Sequence, residues 1–183
     1  AETTAAEEKE TTAAEEKETT AAETVQDTEK RKERILTVSG NGDFGFPSVY
    51  TISPKGQGYM TLSYIFDTLM WKDESGLIPY LAEDYSVSED GLTYTFQLRK
   101  GVSFTDGTPF TAEDVKFTIE AIMDPENGSE NAPNYEDVEE INVVDDHTVE
   151  FKLEDKNVAF LDYMTMAVLP KHLLEGEDMQ TSD

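Results

Sequence analysis

The sequence predicts a mixed α+β (α/β) fold: a hairpin-rich sheet with packed helices, behind a polar N-terminal stretch. Three patterns predict it. Leu92, Tyr94, Phe96 and Leu98 alternate with Thr93, Thr95, Gln97 and Arg99, the period of a half-buried strand. Val149, Phe151 and Leu153 alternate in the same way with Thr148, Glu150 and Lys152. Between these runs Val115, Ile119 and Ile122 recur at the spacing of one helical face. Strands joined by tight turns, with no regular βαβ series, place the chain in the α+β class.

In chain order, the first segment repeats "TTAAEEKE" at Thr3–Glu10 and Thr11–Glu18 and starts again at Thr19. That period is too short for a solenoid unit. The segment has no aromatic residue and almost no aliphatic side chain beyond alanine, so burial cannot offset its ordering entropy. Residues 1–34 are therefore expected as a disordered acidic tether. Ile35–Ser39 then reads as a short strand closed by Gly40. In "MTLSYIFDTLMW", Leu62, Ile65, Phe66, Leu69 and Met70 form a helical stripe ended by Trp71, which is expected to join its core, with service in a ligand cleft as the alternative. That helix should stop before "KDESG", where Gly76 suits a left-handed C-terminal position.

Asp90-Gly91 is a tight-turn signal, so Tyr85–Ser88 should pair back on Leu92–Leu98. "INVVDDHTVEFKL" predicts a second hairpin, with Ile141–Val144 turning at Asp145-Asp146. A helix from Ala112 to about Met123 and a polar stretch, "DPENGSENAPNYED", lie between the two hairpins.

Composition removes several function classes. The chain carries 14 basic and 40 acidic side chains in 183 residues, a net charge of −26. Nucleic acid and anionic lipid both require clustered Lys and Arg, so neither is an expected partner. With no cysteine, disulfides and thiolate metal or redox chemistry are excluded. No apolar run approaches the ~18 residues of a membrane span.

The stretch "LRKGVSFTDGTPFTAEDVKF" gathers Asp106, Glu113 and Asp114 in the pattern that acid–base chemistry would use. Each acid also has a backbone task. Asp106-Gly107 fits a tight turn, and Pro109 stiffens the approach to a helix. Thr111-Ala-Glu-Asp114 has the form of a capping box, and Glu113 and Asp114 sit where the helix dipole favours negative charge. No neighbouring residue supplies a nucleophile, base or electrophile. The acids are expected to be architecture, and no catalytic residue is assigned.

The same region resembles the extracellular solute-binding proteins of ABC transporters, in the family that binds oligopeptides, dipeptides, nickel chelates and some sugars. Leu81-Ala82-Glu83, Asp90–Phe96, Leu98-Arg99, Asp106–Pro109 and Ala112–Val115 reproduce the family's pattern in order. "IFDTLMW", "VVDDHTVEFKL" and "LPKHLLEG" echo flanking segments, so the resemblance runs from about Ile35 to Glu177. It implies part of lobe one of a two-lobed, type II periplasmic-binding-protein-like fold. Residues 35–55 would be the first strand and cleft loop, 56–164 a hairpin and helix subdomain, and 165–183 the start of the return to the main lobe. The chain is expected to be a fragment, because full-length members are several hundred residues long.

The resemblance further implies a monomeric solute-binding component outside the cell, on the outer membrane face or in the periplasm. It would capture a peptide-like or other small solute and deliver it to ABC permease subunits. No covalent step and no cofactor are implied. Lipid anchoring would run through an N-terminal cysteine missing from this sequence. In the family the segment after the first strand borders the ligand cleft, which makes Phe44, Phe46 and Tyr50 candidate ligand-binding residues. The same aromatics would serve equally to cover the edge of the lobe's core.

Other signals are weaker. "GNGDFG" at Gly40–Gly45 satisfies G-x-G-x-x-G but leads into Phe46-Pro47 instead of a helix, so it is not a dinucleotide site. "DPENGSENAPNYED" places Ser129 sixth and Tyr135 twelfth from Asp124, where a calcium loop needs Gly and Glu. His147 and His172 are lone histidines without neighbouring metal ligands. Two alternatives from other classes stand beside the binding protein. An acidic carbohydrate-active or metal-assisted hydrolase would need two carboxylates converging in a cleft. A cell-surface adhesion or scaffold module would use the tether only as a spacer.

Overall fold

The computed structural model describes residues 62–177. The expected tether, the strand at Ile35–Ser39, "GNGDFG" and the candidate residues Phe44, Phe46 and Tyr50 lie outside them. The described elements are β1 (Met70–Asp73), β2 (Gly76–Pro79), β3 (Ala82–Val87), β4 (Thr93–Leu98), α1 (Ala112–Met123), a 3-10 turn (Ala132–Tyr135), β5 (Val138–Asp145), β6 (Thr148–Leu153), α2 (Phe160–Tyr163) and α3 (Lys171–Leu174). β1 and β2 form a two-stranded ribbon, and β3-β4-β6-β5 an antiparallel four-stranded sheet.

Both hairpins read from the alternating runs are present. β3 pairs with β4 and β5 with β6, and the two hairpins join where Tyr94 opposes Phe151 and Phe96 opposes Val149. Because side chains alternate across a strand, one face collects Phe96, Leu98, Val149, Phe151 and Leu153, all essentially buried. Phe96 and Phe151 meet edge to face at 5.8 Å, and Phe160 from α2 closes on Phe151 at 5.5 Å. Each such ring contributes about 1.5–3 kcal/mol through burial. The opposite face is polar: Thr95 donates to Glu150 and Thr148 to Gln97, both at 3.2 Å.

Helix α1 covers the apolar face with Val115, Ile119 and Ile122, each at most 4% exposed. Its N-terminus is fixed by the predicted capping box between Thr111 and Asp114. The Asp114 carboxylate accepts from the Thr111 amide at 2.8 Å and from its hydroxyl at 3.1 Å. Its other oxygen accepts from the Lys171 amide at 3.0 Å, although the residue is only 5% exposed. One turn on, the Thr118 hydroxyl donates to the Asp114 carbonyl at 2.7 Å and accepts from the Leu169 amide at 2.9 Å. Asp114 and Thr118 thereby pin the segment before α3 along the helix.

The expected helix at Leu62–Met70 is corrected. Helical bonding stops after Leu62, whose carbonyl accepts from the Ile65 and Phe66 amides at 2.9 Å, and Met70–Asp73 is strand. Leu69 and Met70 are buried as the stripe required, but along an extended chain. The amides of Tyr80 and Ala82 donate to the Leu69 carbonyl, and Thr68 bridges to Ala167. Those pairings satisfy the backbone better than two more helical turns ending at a Gly could. Gly76 does take a positive φ of 114°, in the β1–β2 turn and not at a helix end. The turn is set by Asp73, whose carboxylate accepts from the Ser75 amide at 2.7 Å.

The long polar stretch is equally structural. Asp124 accepts from the Glu126 amide at 2.9 Å, and Tyr135 is fully buried with its hydroxyl donating to the Tyr163 carbonyl at 2.7 Å.

Two substitutions test this reading of α1. Thr111→Ala is expected to cost ~0.5–2 kcal/mol in denaturant unfolding as a weakened cap; a change near zero would contradict the capping assignment. Asp114→Ala should cost more than Thr111→Ala, since it leaves the part-buried Lys171 amide without its acceptor, at up to roughly 1–3 kcal/mol in addition to the cap.

Candidate functional site

The acidic cluster is the first place to look for chemistry, and each acid has a partner. Asp106 accepts from the Thr108 amide at 2.8 Å inside the turn where Gly107 has a φ of 92°. It also faces Nε2 of His172 at 2.7 Å. The Thr108 amide first, and His172 second, hold its carboxyl down at about 2. Glu113 accepts from the Lys171 ammonium at 2.9 Å, a bond that lowers its pKa and raises that of Lys171. Asp114 is inside, hydrogen-bonded as described. Asp106 also lines a cavity. The carboxylates diverge onto turn, lysine and cap, so they do not form an acid–base pair.

Sequence reading missed Lys171 and His172 as the partners. They are 58 and 66 residues from the acids they meet, and no local pattern carries such a pairing. His172, read as a lone histidine, also packs its ring 5.3 Å from that of Phe104.

Two unfilled cavities lie on either side of Phe66-Asp67, and Asp106 belongs to the wall of one of them. One cavity of about 260 Å³ is walled by Ile65, Phe104, Phe110, Val168, Pro170 and Leu173. A second, of about 450 Å³, is walled by Tyr64, Trp71 and Tyr80 with Ser63 and Thr68. Phe66 and Asp67 line both, so the two cavities share one rim. Five large apolar or aromatic side chains stand exposed there: Tyr64, Ile65, Trp71, Tyr80 and Leu173.

Trp71, expected in the core, is instead 37% exposed. Strand geometry explains it: Met70 and Trp71 point to opposite faces, and Met70 takes the interior. Trp71 lies against Tyr80, with centroids 6.1 Å apart and ring planes tilted by 42°. The signal was present in the sequence as "LMWKDESGLIPY", two apolar runs flanking a turn, but the helical stripe overlapped it. Chemically this face can bind by apolar contact, stacking and cation–π attraction.

The Asp106 assignment predicts a pH signature. A carboxyl held below its ordinary 3.8 stabilises the fold above that pH and loses the contribution as pH falls towards about 2. The melting temperature of Asp106→Asn should therefore lie below that of the native chain at neutral pH. The gap should close between pH 3.8 and about 2. A gap independent of pH would contradict the assignment.

Residues 76–181 match the family described as bacterial extracellular solute-binding proteins, family 5 Middle. The glutathione-binding protein GsiB of Escherichia coli O1:K1 / APEC is 39% identical over 84 residues, which is 46% of this chain and 16% of that protein. NikZ from Campylobacter jejuni, solved with Ni(L-His), is 41% identical with a TM-score of 0.63, over 64% of this chain and 24% of that one. The ABC transporter substrate-binding protein CtaP from Listeria monocytogenes is 34% identical with a TM-score of 0.68, over 80% and 30%. The chain thus spans less than a third of each relative's length. The match covers more than half of the 183 residues and every strand and helix from β2 to α3, so the chain belongs to the bacterial extracellular solute-binding proteins of family 5.

Proposed function

We propose that the chain is part of the first lobe of a solute-binding component of an ABC importer, capturing a peptide-like solute outside the cell and handing it to the permease. The observation that carries this is the family match across residues 76–181, on a scaffold whose acid cluster is committed to the backbone. GsiB binds glutathione by its name, a short peptide, and CtaP is named an ABC transporter substrate-binding protein. A fold that grips without transforming needs apolar surface and closure, not a nucleophile. The relatives named here are binding proteins, which favours this reading over a hydrolase or an adhesion module.

Within it, residues 1–34 act as tether and 35–183 as the incomplete lobe, with 35–55 carrying the cleft loop. Phe44, Phe46 and Tyr50 line the cleft. The protein works as a monomer on the outer membrane face or in the periplasm, held by a lipidated cysteine in the anchored case. Fatty-acid labelling of the native protein tests the anchor, and sedimentation tests the monomer.

The binding test uses the protein as its gene encodes it. Di- to pentapeptides are screened by thermal shift, where a ligand at 100 times its Kd should stabilise by about 2.7 kcal/mol. Retention of intact peptide is the expected result, and release of cleaved product would overturn the proposal. Substituting Phe44 or Phe46 by Ala should weaken affinity about tenfold, near 1.4 kcal/mol, without lowering the ligand-free melting temperature. A lowered melting temperature with unchanged affinity would assign these rings to the core edge instead.

A further inference from the structure

The cavity between the end of the first helical turn and the β1–β2 ribbon has a composition that selects one kind of ligand. Tyr64, Trp71 and Tyr80 bring three exposed aromatic rings to it. Trp71 and Tyr80 stand too close at 6.1 Å to admit a group between them, so they form one bent aromatic wall. Such a wall attracts a cation placed within about 6 Å of the ring centroids, and Trp does so best.

Among the described residues lining this cavity, Asp67 carries the one carboxylate and there is no amine. No hydrogen bond or ion pair engages its carboxylate among the described residues, in contrast to Asp106, Glu113 and Asp114. Of the two basic residues beside the ribbon, Lys72 pairs with Asp162, while the Arg99 guanidinium donates to the Tyr80 carbonyl and keeps its charge. An uncompensated carboxylate beside aromatic faces, in a chain of net charge −26, is complementary to a cation.

The lining also discriminates between cations. Thr68 is buried, with its hydroxyl donating to the Met70 carbonyl, and aromatic faces make up most of the remaining lining, which suits a compact, strongly hydrated ammonium poorly. A cation whose charge is covered by carbon gives up its water readily and meets aromatic faces instead. We propose that the cavity walled by Tyr64, Trp71 and Tyr80 binds a small solute through an alkylated ammonium group, with Asp67 as counter-ion. The residues that line this site are other than the candidates Phe44, Phe46 and Tyr50, and the proposal does not rest on the chain serving an importer.

Trp71 is the single tryptophan of the chain, so its fluorescence reports directly on the site. The 183-residue chain is titrated with choline and with 3,3-dimethylbutan-1-ol, its uncharged isostere. Choline should give a saturable change, with the isostere about tenfold weaker. Asp67→Asn should erase most of that preference, and Tyr80→Leu should weaken choline about tenfold. Equal binding of the two ligands, no saturation with choline, or an Asp67→Asn variant with undiminished preference would each overturn the proposal. Should Asp67→Asn fail to fold, Tyr64→Leu at a 58% exposed position supplies the decisive comparison, and unchanged choline affinity there would also overturn it.

Discussion

A carboxylate taken out of water is costly unless hydrogen bonds replace its hydration, and Asp114 meets that condition with donors from two separate parts of the chain. One oxygen faces the Thr111 amide and hydroxyl, which starts α1. The other takes the Lys171 amide, 57 residues away, which fixes where the chain returns. Thr118, one turn along, repeats the device with the Leu169 amide. Much of the remaining geometry follows from this pinning. It sets Lys171 beside Glu113 and His172 beside Asp106, and it brings Val168, Pro170 and Leu173 to the wall of the smaller cavity. The exposed ion pairs add little by themselves; they are consequences of the placement more than its cause.

The sheet supplies the rigid counterpart. Its apolar face is filled by aromatic pairs and by α1, while its outer face and edges are largely polar or charged, with Val87 and Val144 exposed on the edge strands. The edge strands β3 and β5 carry Glu83 and Asp84, and Glu139 and Glu140, which discourage pairing with another chain. The exposed aromatic rings gather around Phe66-Asp67, beside the β1–β2 ribbon and α3, while Val87, Val144 and Val158 are the large apolar side chains exposed elsewhere among the described residues. A molecule so acidic and so polar elsewhere keeps these rings exposed only at this one described face.

The functional reading turns on how charge is allocated. Acids that might have converged on a substrate are instead distributed to a turn, a cap and a lysine, each a task of ordinary size in secondary-structure chemistry. That leaves a scaffold for recognition by surface complementarity, in keeping with family 5 solute-binding proteins. Asp67 is the contrast, a carboxylate with no such task, placed among aromatic rings.

The alternating runs at Leu92–Leu98 and Val149–Leu153, the Asp-Gly turns and the α1 cap were all legible in the sequence. Each is a local interaction in which neighbours a few residues apart decide the backbone, and the family resemblance rests on the same residues. The segment around Leu69–Trp71 was not legible. Its apolar spacing satisfies a helix and a buried strand alike, and only hydrogen bonds to Tyr80, Ala82 and Met164 select the strand. That selection turned Trp71 outward and created the aromatic wall. Lys171 and His172 could be given their acids only by the folded chain, because a side chain's partner across some sixty residues is set by packing, to which sequence spacing is blind.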